Sequence, residues 1–285
     1  MKIRSKVLIT GSNGFTGRYL TKYLIGSGYQ PIALKSNLID LHELLLEVQK
    51  VQPDYVIHLA AISFPDTKDI ESLYKVNVIG SVNLLDALAS LAVAPKKVIL
   101  ASSSQVYSDL ETIQFSESFC PKPQNHYGCS KLSMENLAAT YASKLPIIVA
   151  RPFNYTGKEH EEKFLIPKIV ATYLRRDREI YLGNLDIARE FNDVRDVCQI
   201  YCSLLASKYD GGAVNICSGR QVKLLDIINM MDYIAGYKME VMVNPQFERS
   251  NDIKCICGDT AKLTSITHYN IQYSIGETLK WMYDK

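Results

Sequence analysis

Three residue types that together can move a proton at a carbonyl oxygen stand near one another in the chain: Ser103, Tyr127 and Lys131. Tyr127 and Lys131 are four apart, and on a helix that spacing puts them on one face, a turn from each other. A free phenol ionises near pH ~10, and a nearby ammonium favours the phenolate, drawing its pKa toward neutrality. Such a pair can give a proton to a substrate oxygen or take one from it. Ser103 follows an apolar run at 97–101 that reads as a strand, so its hydroxyl could hold the same oxygen. Tyr and Lys at this spacing are also ordinary surface residues. The elements around them decide.

Residues 7–10 form a short apolar strand that runs into a turn containing Gly11, Asn13, Gly14, Phe15, Thr16 and Gly17. An amphipathic helix follows, with Tyr19, Leu20, Tyr23 and Leu24 periodic and Gly26 and Gly28 ending it. Strand, glycine turn and helix are the context of a dinucleotide-binding loop. Small residues let the backbone approach a pyrophosphate, and the helix N-terminus meets its charge. The spacing is G-x-x-G-x-x-G, not the commoner G-x-G-x-x-G. A second strand at 31–35 ends in Lys35, Ser36 and Asn37, where an NAD-preferring site carries an acidic residue for the ribose hydroxyls. A cation and two small polar groups suit a 2′-phosphate, which favours NADPH and leaves NADH possible; Arg18 could assist. Asp40 and Leu41 open a short helix, and the carboxylate could reach an adenine amine or cap that helix.

Residues 54–61 are nearly continuous in apolar side chains, as a strand buried on both faces demands. Ala60 and Ala61 leave room at its end, and His58 within it reads as a packed core histidine. A helix over 71–91 carrying Asn77, a helix from near Asn125 to before Pro146, and a strand at 147–151 complete a β-α alternation. The pattern predicts an α/β fold, a Rossmann-type doubly wound parallel sheet with ligands at the strand carboxyl ends. The loops holding Gly11, Ala60, Ser103 and Arg151 all fall at that edge. Beyond Arg151 the pattern loosens into a helix over 164–176, another from Asp193 through Leu205, and a strand at 213–217. We expect a Rossmann domain of 1–154 plus about 186–216. A second, smaller α/β substrate lobe takes about 155–185 and 217–285, with a cleft between the two.

Composition narrows the class of function. A net charge of +2 offers no basic field for nucleic acid or a membrane surface. No apolar run is long enough to span a bilayer, and we expect no signal peptide. The seven cysteines show no paired framework or zinc spacing, so we expect no metal and free thiols in a reducing cytoplasm.

Assembled, these motifs resemble the extended short-chain dehydrogenase/reductases that act on sugar nucleotides, over essentially the whole chain. The turn at 10–17, the run at 58–61, Asn77, the serine run at 103–107, Tyr127 with Lys131, and the loop at 151–154 match the family's signatures. Within it, the segments at 151–157, 188–197, 215–219, 248–252 and 257–263 most resemble the GDP-4-keto-6-deoxymannose reductases. The resemblance implies that Leu59, Ala60, Ala61, Asn77 and Pro152 join the glycine turn around NADPH. It implies a GDP-sugar held by Ser63, Ser104, Gln105, Phe153, Asn154, Arg189 and Arg249, and a homodimer formed through the helices at 71–91 and 126–141. Ser104 and Gln105 stand where the related 4,6-dehydratases carry an acidic pair, and neither is a carboxylic acid. Elimination of water therefore lacks its acid and base, while hydride transfer needs neither. The expected activity is reduction of the C4 ketone of a GDP-4-keto-6-deoxy sugar, of mannose or manno-heptose skeleton. An NAD-dependent nucleotide-sugar epimerase and a non-catalytic NADP(H)-binding redox sensor are the alternatives.

Overall fold

The computed structural model describes residues 4–64, 67–108, 114–185, 187–244 and 255–284. Val7, Leu8 and Ile9 are all buried, so both faces of their strand must be covered. That strand, β1 (Lys6–Thr10), lies inside a sheet built by a regular alternation. After it come α1 (Phe15–Gly26), β2 (Gln30–Ala33), α2 (Leu41–Val51), β3 (Tyr55–His58), α3 (Ile70–Tyr74), α4 (Gly80–Ala89) and β4 (Lys97–Ala101). The short β5 (Gln114–Phe115) precedes α5 (His126–Ala139), β6 (Ile147–Pro152) and β7 (Tyr155–Thr156). Then follow α6 (Leu165–Leu174), β8 (Glu179–Leu182), β9 (Ala188–Glu190), β10 (Asn192–Asp193), α7 (Val194–Ala206) and β11 (Gly212–Ile216). The chain closes with β12 (Gln221–Lys223), α8 (Leu224–Ala235), β13 (Glu240–Val243), β14 (Cys255–Gly258), α9 (Ala261–Thr267) and α10 (Ile275–Tyr283).

Six strands pair in the order β11-β6-β4-β3-β1-β2, every pair parallel. Leu20 and Leu24 of α1 and Val197 and Leu204 of α7 bury against Val7 and Ile9 on one face. Leu44 of α2, Leu84 and Leu88 of α4 and Met134 of α5 bury against Leu8, Val56 and Val98 on the other. Each such side chain contributes roughly 1.5–3 kcal/mol by leaving water. Strand order reverses at β1, which has β2 on one side and β3 on the other. A doubly wound sheet opens its ligand crevice at that reversal, beyond the strand carboxyl ends.

The expected helix over 71–91 is present as one continuous helical run over 70–89, but it is not α-helical throughout. Residues 75–79 form a turn of π-helix between α3 and α4, a rare form that often lies at functional sites. Past β6, Ile166, Ile169, Tyr173, Ile227, Met231 and Leu279 make a separate apolar core from α6, α8 and α10. Small sheets ordered β12-β9-β14-β5, β13-β8 and β10-β7 flank it. Among the described residues no helix is long and apolar enough to cross a membrane, and no cluster of His, Cys, Asp or Glu could hold a metal ion.

Candidate active site

The turn after β1 is tight because its glycines leave no room for side chains. Gly11 has φ +70°, and a Cβ there would meet Ala60 N at 2.8 Å; a Cβ on Gly17 would meet Ser12 Cα at 2.6 Å and press on Gly11 O. The Gly14 amide donates to Gly11 O at 3.0 Å, and α1 begins at Phe15 with no side chain capping its N-terminus. Its first amides are therefore left for an anion. Behind the turn the Ala60 amide donates to Thr10 Oγ1 at 3.0 Å, and the hydroxyl lies 2.6 Å from His58 Nδ1. His58 Nε2 lies 2.8 Å from Ser81 Oγ. Burial holds His58 near 3, with the Lys131 charge adding to the fall, so it is a neutral core residue.

Asn125 caps α5 by accepting the Gly128 amide at 2.8 Å, which sets the phase of the helix and turns Tyr127 and Lys131 inward. Lys131 is 2% exposed; its Nζ donates to Ala101 O at 2.7 Å and stands 5.9 Å from the Tyr127 ring centre. Ser103 caps the short turn 104–106, accepting the Gln105 amide at 3.1 Å, and its hydroxyl hydrogen-bonds the Tyr127 phenol. The trio of side chains is thus assembled. Its electrostatics correct the sequence expectation. Burial raises the Tyr127 phenol well above its ordinary value of 10, Tyr155 adds to the rise, and the Ser103 hydrogen bond lowers it only in part. Burial likewise lowers Lys131 to about 8, against a raising influence from Glu135. Desolvation dominates both groups, and the phenol keeps its proton at neutral pH.

A cavity of about 1030 Å³ opens at the strand carboxyl ends. It brings together Gly11, Gly14, Phe15, Thr16, Gly17, Leu59, Ala60, Ala61, Ser63, Ser103, Gln105, Tyr127, Lys131, Pro152, Phe153, Asn154 and Arg189 of the expected residues. The N-terminus of α6 opens on the same space, and it too has no side-chain cap. Lys163, Lys168 and His160 join it there; none of the three was anticipated from the sequence. His160 lies between Phe15 and Phe164, 4.2 and 4.3 Å from their ring centres, and burial lowers it to about 4. A missing Ser, Thr, Asp or Asn before the helix at Leu165 was the available signal for an open N-terminus.

Other expected residues lie off this cavity. Asn13 borders a smaller one of about 410 Å³ with Arg18 and Lys22. Asn77 is buried in the π-helical turn, accepting the Ile62 amide at 2.8 Å and donating to Ser130 Oγ at 3.0 Å. It acts through the loop after β3 rather than by touching a ligand. Asp40 caps α2 by accepting the Glu43 amide at 3.0 Å, the second of its two expected roles, with Leu41 the first helical residue. The Lys35 and Ser36 amides are bound by Glu47 of α2 at 3.0 and 2.7 Å. Burial pushes that carboxyl up, but the hydrogen bonds from Ser36 and Lys35 outweigh it and hold Glu47 ionised below its usual range. The end of β2 therefore carries a fixed negative charge that the sequence reading missed. Ser104 is buried behind Ser103, and Arg249 lies outside the described residues.

A model of the NAD dependent epimerase/dehydratase family matches residues 7–217. The chain is 34% identical over 287 residues to a GDP-6-deoxy-D-talose 4-dehydrogenase of Aggregatibacter actinomycetemcomitans, covering 98% of this chain and 97% of that protein. It is 28% identical to a GDP-6-deoxy-D-mannose reductase of Pseudomonas aeruginosa, covering 96% and 95%. The structure of RMD from Pseudomonas aeruginosa complexed with NADPH superposes with a TM-score of 0.88 at 26% identity, over 98% and 96% of the two chains.

Proposed function

The chain belongs to the NAD-dependent epimerase/dehydratase family, and from that premise we propose that it is an NADPH-dependent reductase of the C4 ketone of a GDP-4-keto-6-deoxy sugar. The observation that carries the reading is one cavity with two uncapped helix N-termini on it and the Ser103, Tyr127 and Lys131 side chains beside them. Two sites for diphosphates suit a dinucleotide and a nucleotide sugar bound at once. The glycine turn, from which side chains are excluded, fits the cofactor pyrophosphate. NADPH, when bound, supplies a hydride to the C4 carbon. Tyr127, protonated through its burial, donates the proton to the C4 oxygen. Ser103 hydrogen-bonds that oxygen where negative charge develops. The Lys131 ammonium stabilises the phenolate left on Tyr127 and holds the nicotinamide ribose. Arg189, Lys163 and the α6 N-terminus bind the sugar nucleotide and orient C4.

NADPH is the preferred donor on the strength of Lys35 and Arg18; Glu47 offsets part of that charge, so NADH serves as a weaker one. The Rossmann lobe is 1–154 with about 186–216, and the sugar nucleotide lobe is about 155–185 and 217–285. The exposed Ile79 and Leu137 support a homodimer through α3, α4 and α5, and seven free cysteines support a cytoplasmic enzyme. The test is oxidation of NADPH with a panel of GDP- and UDP-linked sugars. Turnover confined to GDP-4-keto-6-deoxy sugars supports the reading. Cofactor binding with no turnover points to a sensor, and conversion of UDP-glucose with retained NAD points to an epimerase.

A further inference from the structure

Glu135 is a buried charge that the reductase mechanism does not use, one helical turn beyond Lys131 on α5. Its carboxylate accepts the Ser102 hydroxyl at one oxygen, and Nε and Nη2 of Arg151 at 3.0 and 2.5 Å. Arg151 also donates to the Tyr107 hydroxyl at 2.7 Å, which donates to Asn215 Oδ1 at 2.9 Å. One buried polar chain thus ties together β4, α5, β6 and β11. Stability alone is a poor reason for it, because apolar replacements of such buried ion pairs are often neutral or stabilising. Position is a better one. Lys131 holds the carbonyl of Ala101 at 2.7 Å, and Glu135 holds the hydroxyl of Ser102. Two side chains one turn apart therefore grip consecutive residues of the strand end, and Ser103 is the next residue along.

We propose that Glu135 is a positioning residue that locks the end of β4 against α5, so that Ser103 and Lys131 face one point, and that sets a carboxylate one helical turn from the lysine. Its kinetic consequences rest on the reductase reading. Among the described residues, the charged and titratable groups around Lys131 are few. Tyr127 and Glu135 share its helix, His58 of β3 is neutral, and Arg151 of β6 is engaged by Glu135 itself. Tyr155 of β7 acts on the Tyr127 phenol, which holds its proton. Glu135 is accordingly the one group that pushes the lysine up against the effect of burial.

The test compares Glu135→Gln and Glu135→Asp with the parent, following Lys131 by NMR of isotope-labelled lysine and following kcat against pH. The glutamine variant is expected to lower the lysine titration by about one pH unit or more, and the alkaline limb of kcat to fall earlier with it. The aspartate variant, which keeps the charge, should titrate as the parent does while losing kcat through its shorter reach. Ser102→Ala, which removes only a neutral donor, should cut kcat about tenfold, the effect of a single lost hydrogen bond, with the KM for the GDP-sugar and the alkaline limb unmoved. An unshifted lysine in the glutamine variant overturns the charge role. Parental kcat in Ser102→Ala overturns the positioning role, and it does so even if the glutamine variant fails to fold. A parent without ketoreductase turnover sinks the reductase reading, while the lysine titration still decides this one.

Discussion

Replacing Lys131 by methionine should make the protein more stable and nearly inactive at once. Burial lowers this lysine from 10.5 to about 8. At about 1.4 kcal/mol for each pH unit, folding with the charged side chain costs ~3 kcal/mol more than folding with a neutral one. The cost is fully present below pH 8, where both folded and unfolded chains carry the proton. Between about 8 and 10.5 the unfolded chain binds more protons than the folded one, so stability rises with pH across that window. Methionine fills a similar volume without the charge. It forfeits the hydrogen bond to Ala101 O, worth ~1 kcal/mol net, and leaves a gain on the order of 2 kcal/mol. Urea unfolding at neutral pH measures this directly, and above the ordinary lysine range the gain should turn into a loss of ~1 kcal/mol, since only the missing hydrogen bond then separates the two proteins. Activity should fall by a factor of about 100 or more, as the phenolate loses its neighbouring charge. A methionine variant less stable than the parent at neutral pH would overturn this, because the lysine would then be held for stability and not against it.

Tyr127→Phe keeps the ring in its pocket and removes the proton donor; kcat should fall by about 100- to 10,000-fold with the melting temperature and nucleotide binding little changed, which steady-state kinetics and calorimetry check. In the parent, kcat should hold through neutrality and decline as pH rises through about 8, where Lys131 loses its proton; a pH-rate profile reads this. Gly17→Ala drives a methyl group into the backbone of Ser12, 2.6 Å away, so the turn must shift at a cost of ~1–3 kcal/mol, and NADPH titration should register the loss of affinity. Arg189→Ala, on the cavity wall, should raise the KM for the GDP-sugar about tenfold or more and leave that for NADPH as it was.

What the sequence revealed of this site is what is encoded locally. The glycine turn, the start of a helix near Asn125 and the four-residue spacing of Tyr127 and Lys131 are written in neighbouring residues, and the structure carries each of them; that Asn125 itself caps the helix is a finding of the structure. The doubly wound sheet was legible for the same reason, since buried strands and amphipathic helices declare their periods. Longer-range features were not legible. The π-helical turn at Asn77 satisfies an amide from the loop after β3, fifteen residues away. Glu47 reaches back from the middle of α2 to the Lys35 amide, twelve residues earlier, and no local signal marks that capture. The phenol of Tyr127 went the other way from expectation because desolvation depends on everything packed around it, not on the one lysine a turn away. The α6 N-terminus was visible only as an absence, the lack of a polar cap before Leu165.

The most direct measurement uses NADPH carrying deuterium in place of its transferable hydride, incubated with GDP-4-keto-6-deoxymannose, the product being read by NMR. One deuteron is expected at C4 of every product molecule, with one NADPH consumed for each, and Tyr127→Phe should form the same product at least about 100-fold more slowly. Product lacking deuterium at C4, or interconversion of C4 epimers with no NADPH consumed, would contradict C4 reduction by NADPH.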